Sequence, residues 1–214
     1  SIIDIFEHLT PTVVSRTTKK NDPKDAILKV KTWSHGGRLD IVPSRLELAF
    51  TLKNPTGKEQ LLSKFVKSVS ANYDLILIDC SPTESMLTDA AYLASDYIVV
   101  PVRPDFLSTI GLPLLARSLE DFRERYEDHE IGLAGILFNA IYENKSEHRR
   151  SRRDVQATAH EYGWYVFQNE VSFSDSYPKG SRLGKPIFAT DYARWEKIAE
   201  FSAVAGEFMK RIGL

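Results

Sequence analysis

Cysteine is nearly missing from this chain: Cys80 is the only one in 214 residues. An intrachain disulfide framework is therefore excluded, and a reducing cytosol is the natural compartment. Net charge is nearly absent too, at −1. No global field draws the molecule onto DNA or a membrane, so any nucleic-acid contact must come from a local patch. No apolar run approaches the ~20 residues needed to cross a bilayer, and no secretory h-region opens the chain. His8, His35, His129, His148 and His160 show no metal-ligand spacing with Cys80 or with one another. There is no nucleophile elbow, internal repeat or low-complexity segment. An initial Met is also missing. Ser1 leads directly into an apolar-periodic stretch, Ile2, Ile3, Ile5, Phe6 and Leu9. The expectation is a sequence that begins partway into a longer protein; the alternative is removal of the initiator Met, which a small second residue permits.

What is present is ordinary for a globular protein, with 43% hydrophobic and 27% charged residues. The length suits one domain with a full core. Residues 39–43 predict a short strand ended by Pro43, after which Ser44 and Glu47 have the spacing of a capping box. Leu61, Leu62, Phe65, Val66 and Val69 predict a helix within 58–69. The run Leu75-Ile76-Leu77-Ile78 predicts a strand buried on both faces, with Cys80 a buried thiol at its end. Further strands are expected at 97–100 and 133–138, and helices near 84–94, 107–126, 147–162 and 192–212. The polar stretch 15–25 reads as a solvated loop. On the last helix, Trp195, Ile198, Ala199, Phe201, Val204, Phe208 and Ile212 read as a core-packing face. Strands alternating with helices imply an α/β fold, a mostly parallel sheet with helices on both faces. Ligands of such sheets bind beyond the carboxyl ends of the strands, so residues 79–82, 101–104 and 139–140 become the ones to inspect.

Asp79 ends an apolar strand, where a carboxylate needs a cation or donors. It either helps hold Mg²⁺ in a phosphoryl-transfer site or caps the next helix. The local pattern leaves both open. Asn139 follows the expected strand at 133–138 and on residue type reads as a turn residue. Lys145, His148, Arg149, Arg150, Arg152 and Arg153 in KSEHRRSRR form a basic cluster at a helix start. Such a cluster suits phosphate contact, or else is a solvated face beside Glu143, Glu147 and Asp154.

The stretch 73–115, YDLILIDCSPTESMLTDAAYLASDYIVVPVRPDFLSTIGLPLL, resembles the heart of ParA/MinD-like P-loop ATPases: a Walker B strand, the switch after it, and the next strand with its Pro-containing loop. LDIVPSRLELA at 39–49, residues 135–139, Gly184-Lys185-Pro186-Ile187 and the long terminal helix are similar to the same family in order and spacing. The resemblance implies a P-loop NTPase fold spanning residues 1–214 as one domain. It implies ATP and Mg²⁺ as cofactors. Asp79 matches the Walker B aspartate, as the metal and catalytic residue. Ser81 and Pro82 match the start of the γ-phosphate switch. Pro101, Arg103 and Pro104 match the loop lining the base, and Asn139 the base contact. It further implies ATP-dependent homodimerisation, nonspecific DNA binding, an adaptor partner of ParB type, and a cytoplasmic, nucleoid-associated location without stable membrane insertion. Lys145, Arg149, Arg150, Arg152 and Arg153 are candidate DNA contacts. So are Lys179, Arg182 and Lys185, although Phe173 and Ser176 stand where the family's basic loop would carry arginines.

The departure is at the phosphates. Members of the family open on a strand and a Gly-rich loop whose N–H groups cradle them. Neither that loop nor the second strand with its own aspartate occurs in these 214 residues. Thr56-Gly57-Lys58-Glu59 lacks the first glycine and the Ser/Thr after lysine that a phosphate loop needs. Without the loop strand, sheet edges would be left unpaired at about 1–3 kcal/mol per buried group. More residues, another chain or another segment is thus expected to fill the slot. Whether the chain is an enzyme stays open: an ATP-dependent partition or positioning switch is one reading, and a nucleotide-free scaffold is the other. A MinD-like membrane positioner fits less well, because Glu196, Glu200 and Glu207 accompany Lys210 and Arg211 on the last helix.

Overall fold

Residues 1–7, 22–53, 56–81, 83–191 and 193–214 are described in the structure, a computed structural model. Most of the expected loop at 15–25 lies outside them, as does Pro82. The chain divides into two compact units, Ser1–Asp96 and Tyr97–Leu214.

In the first unit, the 3.6-residue spacing of apolar side chains produces α3 (Leu61–Val69), which follows α1 (Ile2–Glu7) and the short α2 (Leu48–Thr51). Leu61, Leu62, Phe65 and Val69 of α3 meet Ile5 and Phe6 of α1 and Ala90 of α4 (Met86–Leu93) in one core. Beside it lies an antiparallel hairpin of β1 (Leu28–Thr32) and β2 (Arg38–Ile41). β1 was not expected from sequence. Asp40 on β2 accepts a hydrogen bond from Tyr73 Oη at 2.7 Å and pairs with Arg38 at 3.0 Å, tying the hairpin to residue 73.

Several expectations for this unit need correcting. Ser44 and Glu47 do not form a capping box. The helix starts only at Leu48, too late for Ser44 to stand at its cap, and Glu47 makes no capping hydrogen bond from its side chain. The run 75–78 is not buried on both faces. Ile76 and Ile78 pack on the core, but Leu75 is 37% and Leu77 76% exposed. Although exposure alternates along it, the run forms no β-strand, contrary to the expected interior strand at 75–78. Among the described residues no strand pairs with it, and Leu75 and Leu77 stay exposed. Cys80 is likewise exposed rather than buried. Thr56 and Gly57 form a turn that leads into α3, with Lys58 buried below it.

The second unit is built on a parallel pair, β3 (Tyr97–Val102) and β4 (Gly132–Phe138), joined through the long α5 (Phe106–Arg125). A strand-like segment follows α6 (Ser146–Glu161) and lies parallel to β4 through the bridge Ile136↔Val166, and to the turn beyond β4 through Ile141↔Ser172. β4 is the covered strand, consistent with its continuous apolar sequence. Gly135 is required there. Its φ is +150°, and a Cβ would lie 2.9 Å from both Tyr165 O and the Phe167 ring. Val102, Leu112, Ile136, Phe138, Ile141, Val155 and Ala159 form the core between sheet, α5 and α6. α7 (Ser176–Arg182) and α8 (Trp195–Ile212) complete the unit.

The face of α8 also differs from expectation. Only Val204 is buried, while Trp195 is 72% exposed. The contacts to the strand-like segment are mostly polar: Lys197 Nζ donates to Ser172 Oγ, Arg211 lies over the Tyr165 ring at 4.1 Å, and two carboxylates accept hydrogen bonds. Glu207 accepts hydrogen bonds from Gln168 N, Asn169 N, Asn169 Nδ2 and Tyr165 Oη at 2.7–2.8 Å. Glu200 accepts from Ser172 N at 3.1 Å and Ser172 Oγ at 2.9 Å. The open backbone donors of the segment draw these acids inward. No helix among the described residues is long and apolar enough to cross a membrane.

Candidate functional site

The carboxyl edge of the β3–β4 pair is where an α/β sheet offers a binding crevice. Val102 lies opposite Phe138 in the ladder, so Arg103 and Asn139 leave the sheet side by side. Asn139 N–H donates to Val102 O at 2.9 Å, fastening the two strand ends. Pro101 and Arg103 are exposed on this edge, whereas Pro104 is fully buried and supports the loop from within. Asp105 caps α5, accepting from Ser108 N at 3.0 Å and Ser108 Oγ at 3.1 Å. Arg103 Nε lies 3.7 Å from the other Asp105 oxygen.

Asn139 is exposed, and its Oδ1 accepts from Ala140 N at 2.8 Å. This hydrogen bond uses the amide oxygen, and the side-chain amide also carries an N–H₂ donor group. Ala140 has φ +53°, the left-handed region that a residue with a Cβ seldom adopts. Sites of this kind cluster where backbone geometry is functionally constrained.

Asp79 and Ser81, in the first unit, are both exposed. Among the described residues no group of three or more His, Cys, Asp or Glu could hold a metal. An exposed lone carboxylate fits Mg²⁺ of the kind that keeps several waters and takes phosphate oxygens for the rest of its shell. Beside it, desolvation and then the Asp79 charge push the Cys80 thiol up from its ordinary pKa, which disfavours the nucleophilic thiolate.

The basic cluster separates by helix face. His148, Ser151, Val155 and Ala159 form the buried stripe of α6, while Arg149, Arg150 and Arg153 are exposed on the rest of its surface. Arg152 is engaged: its guanidinium is 2.6 Å from Glu170 and lies over the Phe138 ring at 5.5 Å. Burial outweighs that pairing, so the Glu170 carboxyl sits above its usual pKa. Lys145 Nζ sits over the Tyr142 ring at 4.0 Å. Lys179 and Arg182 are exposed on α7, and Lys185 follows it, 4.0 Å from Asp191. Gly180 on α7 admits no side chain, since a Cβ would lie 2.7 Å from Lys185 O.

Sequence reasoning missed the two acids of α8. Glu200, Val204, Glu207 and Arg211 stand at helical spacing, and Arg211 Nε donates to Ala134 O at 3.2 Å. That period was the available signal, hidden because acids on a terminal helix read as solvated. Burial alone would raise the Glu207 pKa, but hydrogen bonds from Gln168, Asn169 and Tyr165 outweigh it and hold the carboxyl below its ordinary value.

Comparison with known proteins agrees with this architecture. A family model described as an AAA domain matches residues 3–131. The cell division protein PomZ of Myxococcus xanthus is 29% identical over 174 residues, 78% of this chain and 52% of PomZ. An uncharacterised protein of Mycobacterium tuberculosis is 28% identical over 196 residues, 90% of this chain. The chain spans 60% of that relative's length. Among solved structures, a single-residue variant of Cyanothece McdA in complex with ATP superposes with a TM-score of 0.72 at 15% identity, covering 90% of this chain and 71% of McdA. A plasmid partition protein of Borrelia burgdorferi bound to AMPPNP gives 0.69 at 20% identity, with coverage of 90% and 71%. The α/β fold is therefore that of ParA-like P-loop NTPases, and the chain belongs to the ParA/MinD-like P-loop ATPase family.

Proposed function

We propose that this chain acts in an ATP-dependent switch that positions DNA or another cellular cargo. The observation that carries the reading is the carboxyl edge of the second unit, where Arg103 and Asn139 emerge together from paired strands. In this reading Asn139 Nδ2 addresses the adenine ring, and the exposed Pro101 and Arg103 border it. Asp79 orients Mg²⁺ through water, and Ser81 with Pro82 begins the segment that responds to the γ-phosphate. When bound, the metal and nucleotide supply the charge neutralisation on which phosphoryl transfer depends. Nucleotide-driven homodimerisation would gather the exposed Arg149, Arg150 and Arg153, with Lys145, Lys179, Arg182 and Lys185, into a surface for nonspecific DNA, leaving an adaptor of ParB type to trigger release. PomZ, described as a cell division protein, and the Borrelia partition protein support a positioning role.

Phosphoryl transfer needs a phosphate cradle, and these 214 residues contain no such motif. The chain alone is therefore expected to show no Mg²⁺-dependent ATP hydrolysis. Turnover that disappears in Asp79→Ala would overturn that expectation. The exposed Arg149, Arg150 and Arg153 and the exposed apolar Leu77 favour a second reading, a nucleotide-free scaffold binding through its basic and apolar surfaces. The intact mass of the native protein separates the two: a longer chain carrying a Gly-rich phosphate loop supports the switch, and a chain starting at Ser1 supports the scaffold.

A further inference from the structure

The turn after β4 is tightly determined. Asn139 is fastened at both its N–H and its Oδ1. Ile141 N–H donates to Val171 O at 3.2 Å, and Ile141 O accepts from Phe173 N at 2.8 Å. Between them Ala140 holds its positive φ, a conformation that persists only where the surroundings enforce it. The next amide, Tyr142 N–H, donates to His148 Nδ1 at 3.2 Å. A backbone amide can only donate, so Nδ1 must present a lone pair and the imidazole must be neutral, with its proton on Nε2. His148 is 4% exposed in the first turn of α6, and its ring meets Tyr142 edge-on at 5.5 Å.

We propose that His148 is a positioning residue: its neutral imidazole fixes the 139–142 turn and thereby the presentation of Asn139 to an adenine base. The proposal rests on the reading of the β3–β4 edge as the base site. It extends that reading to a buried residue that touches no nucleotide.

The surroundings favour the neutral ring. Burial is the largest influence, followed by the positive charges of Lys145, just before α6, and Arg103, after β3. Asp105 and Glu147 act in the opposite sense, and the net is a pKa below the ordinary imidazole value. A histidine depressed on folding contributes stability above its unfolded pKa of about 6.5 and loses it as pH falls through the folded value. The turn is thus set at neutral pH and released on acidification, when imidazolium can no longer accept from Tyr142.

The test is NMR on the isotope-labelled 214-residue chain, following Tyr142 amide protection while the His148 ring is titrated from about pH 7.5 downward. In the wild type, protection falls about tenfold as the ring protonates, the effect of losing one acceptor for a partly buried amide. His148→Asn, whose Oδ1 accepts without titrating, keeps protection throughout the range. His148→Phe, with no acceptor, lacks it at every pH. Added ADP shifts the Asn139 side-chain amide in the wild type and in His148→Asn, and shifts it less in His148→Phe. Unchanged Tyr142 protection through the wild-type titration overturns the proposal whether or not His148→Phe folds. Protection that behaves as expected, with no ADP-induced shift at Asn139, instead overturns the base-site reading on which the functional half of the proposal stands.

Discussion

Glu207 shows how one side chain can organise a segment. Its carboxylate receives backbone N–H groups from Gln168 and Asn169 and side-chain donors from Tyr165 and Asn169. Replacing an ionised acceptor leaves part of that donor set unpaired, so Glu207→Gln should lower unfolding free energy by about 1–3 kcal/mol at neutral pH. Because the folded pKa is depressed, the stabilisation is present above the unfolded carboxylate pKa of about 4.3 and is lost as pH falls through the folded value. Urea denaturation across that range should show wild type and Glu207→Gln converging on acidification. A constant gap would show that the charge is not the source. None of this was legible from the residue type, since an acid on a helix surface and an acid turned onto open amides look alike in sequence.

Elements were more legible than their surroundings. The helical period placed α3, α5 and α6 to within a few residues, and the apolar runs placed β3 and β4, because both patterns are local. What periodicity could not supply is the partner of each face. Residues 75–78 read as fully buried, but only Ile76 and Ile78 are covered. Leu77→Ser should therefore change the stability of this chain by less than about 0.5 kcal/mol, against about 2–5 kcal/mol for Leu62→Ala in the core. A large loss at Leu77 in thermal or urea unfolding would mean that its face is packed. α6 makes the same point with charge. KSEHRRSRR read as one basic cluster, yet the helix turns His148 inward and Arg152 toward Glu170. Arg152→Ala should destabilise by about 1–3 kcal/mol, while alanine at Arg149, Arg150 and Arg153 should leave stability unchanged within about 0.5 kcal/mol. The triple variant should instead flatten the salt dependence of any DNA binding. Equal stability losses in all four would remove the distinction between the helix faces.

At the scale of the molecule, the order of strands and helices carried the family resemblance, and the match over residues 3–131 together with the fold of solved relatives established it. The candidate base edge was legible because a parallel pair places the residues after its strands together whatever their identity. Its support was not. The left-handed Ala140, the buried Pro104 and the His148 contact are products of tertiary packing with no local pattern. If an adenine ring occupies the Arg103–Asn139 edge, photo-crosslinking should capture it there even when binding is weak for want of a phosphate cradle. With 8-azido-ATP and Mg²⁺, mass spectrometry should find label on peptides spanning 101–105 and 139–142, competed by unmodified ATP and reduced in Asn139→Ala. Competable label confined to other peptides, or no competable label at all, would contradict the account.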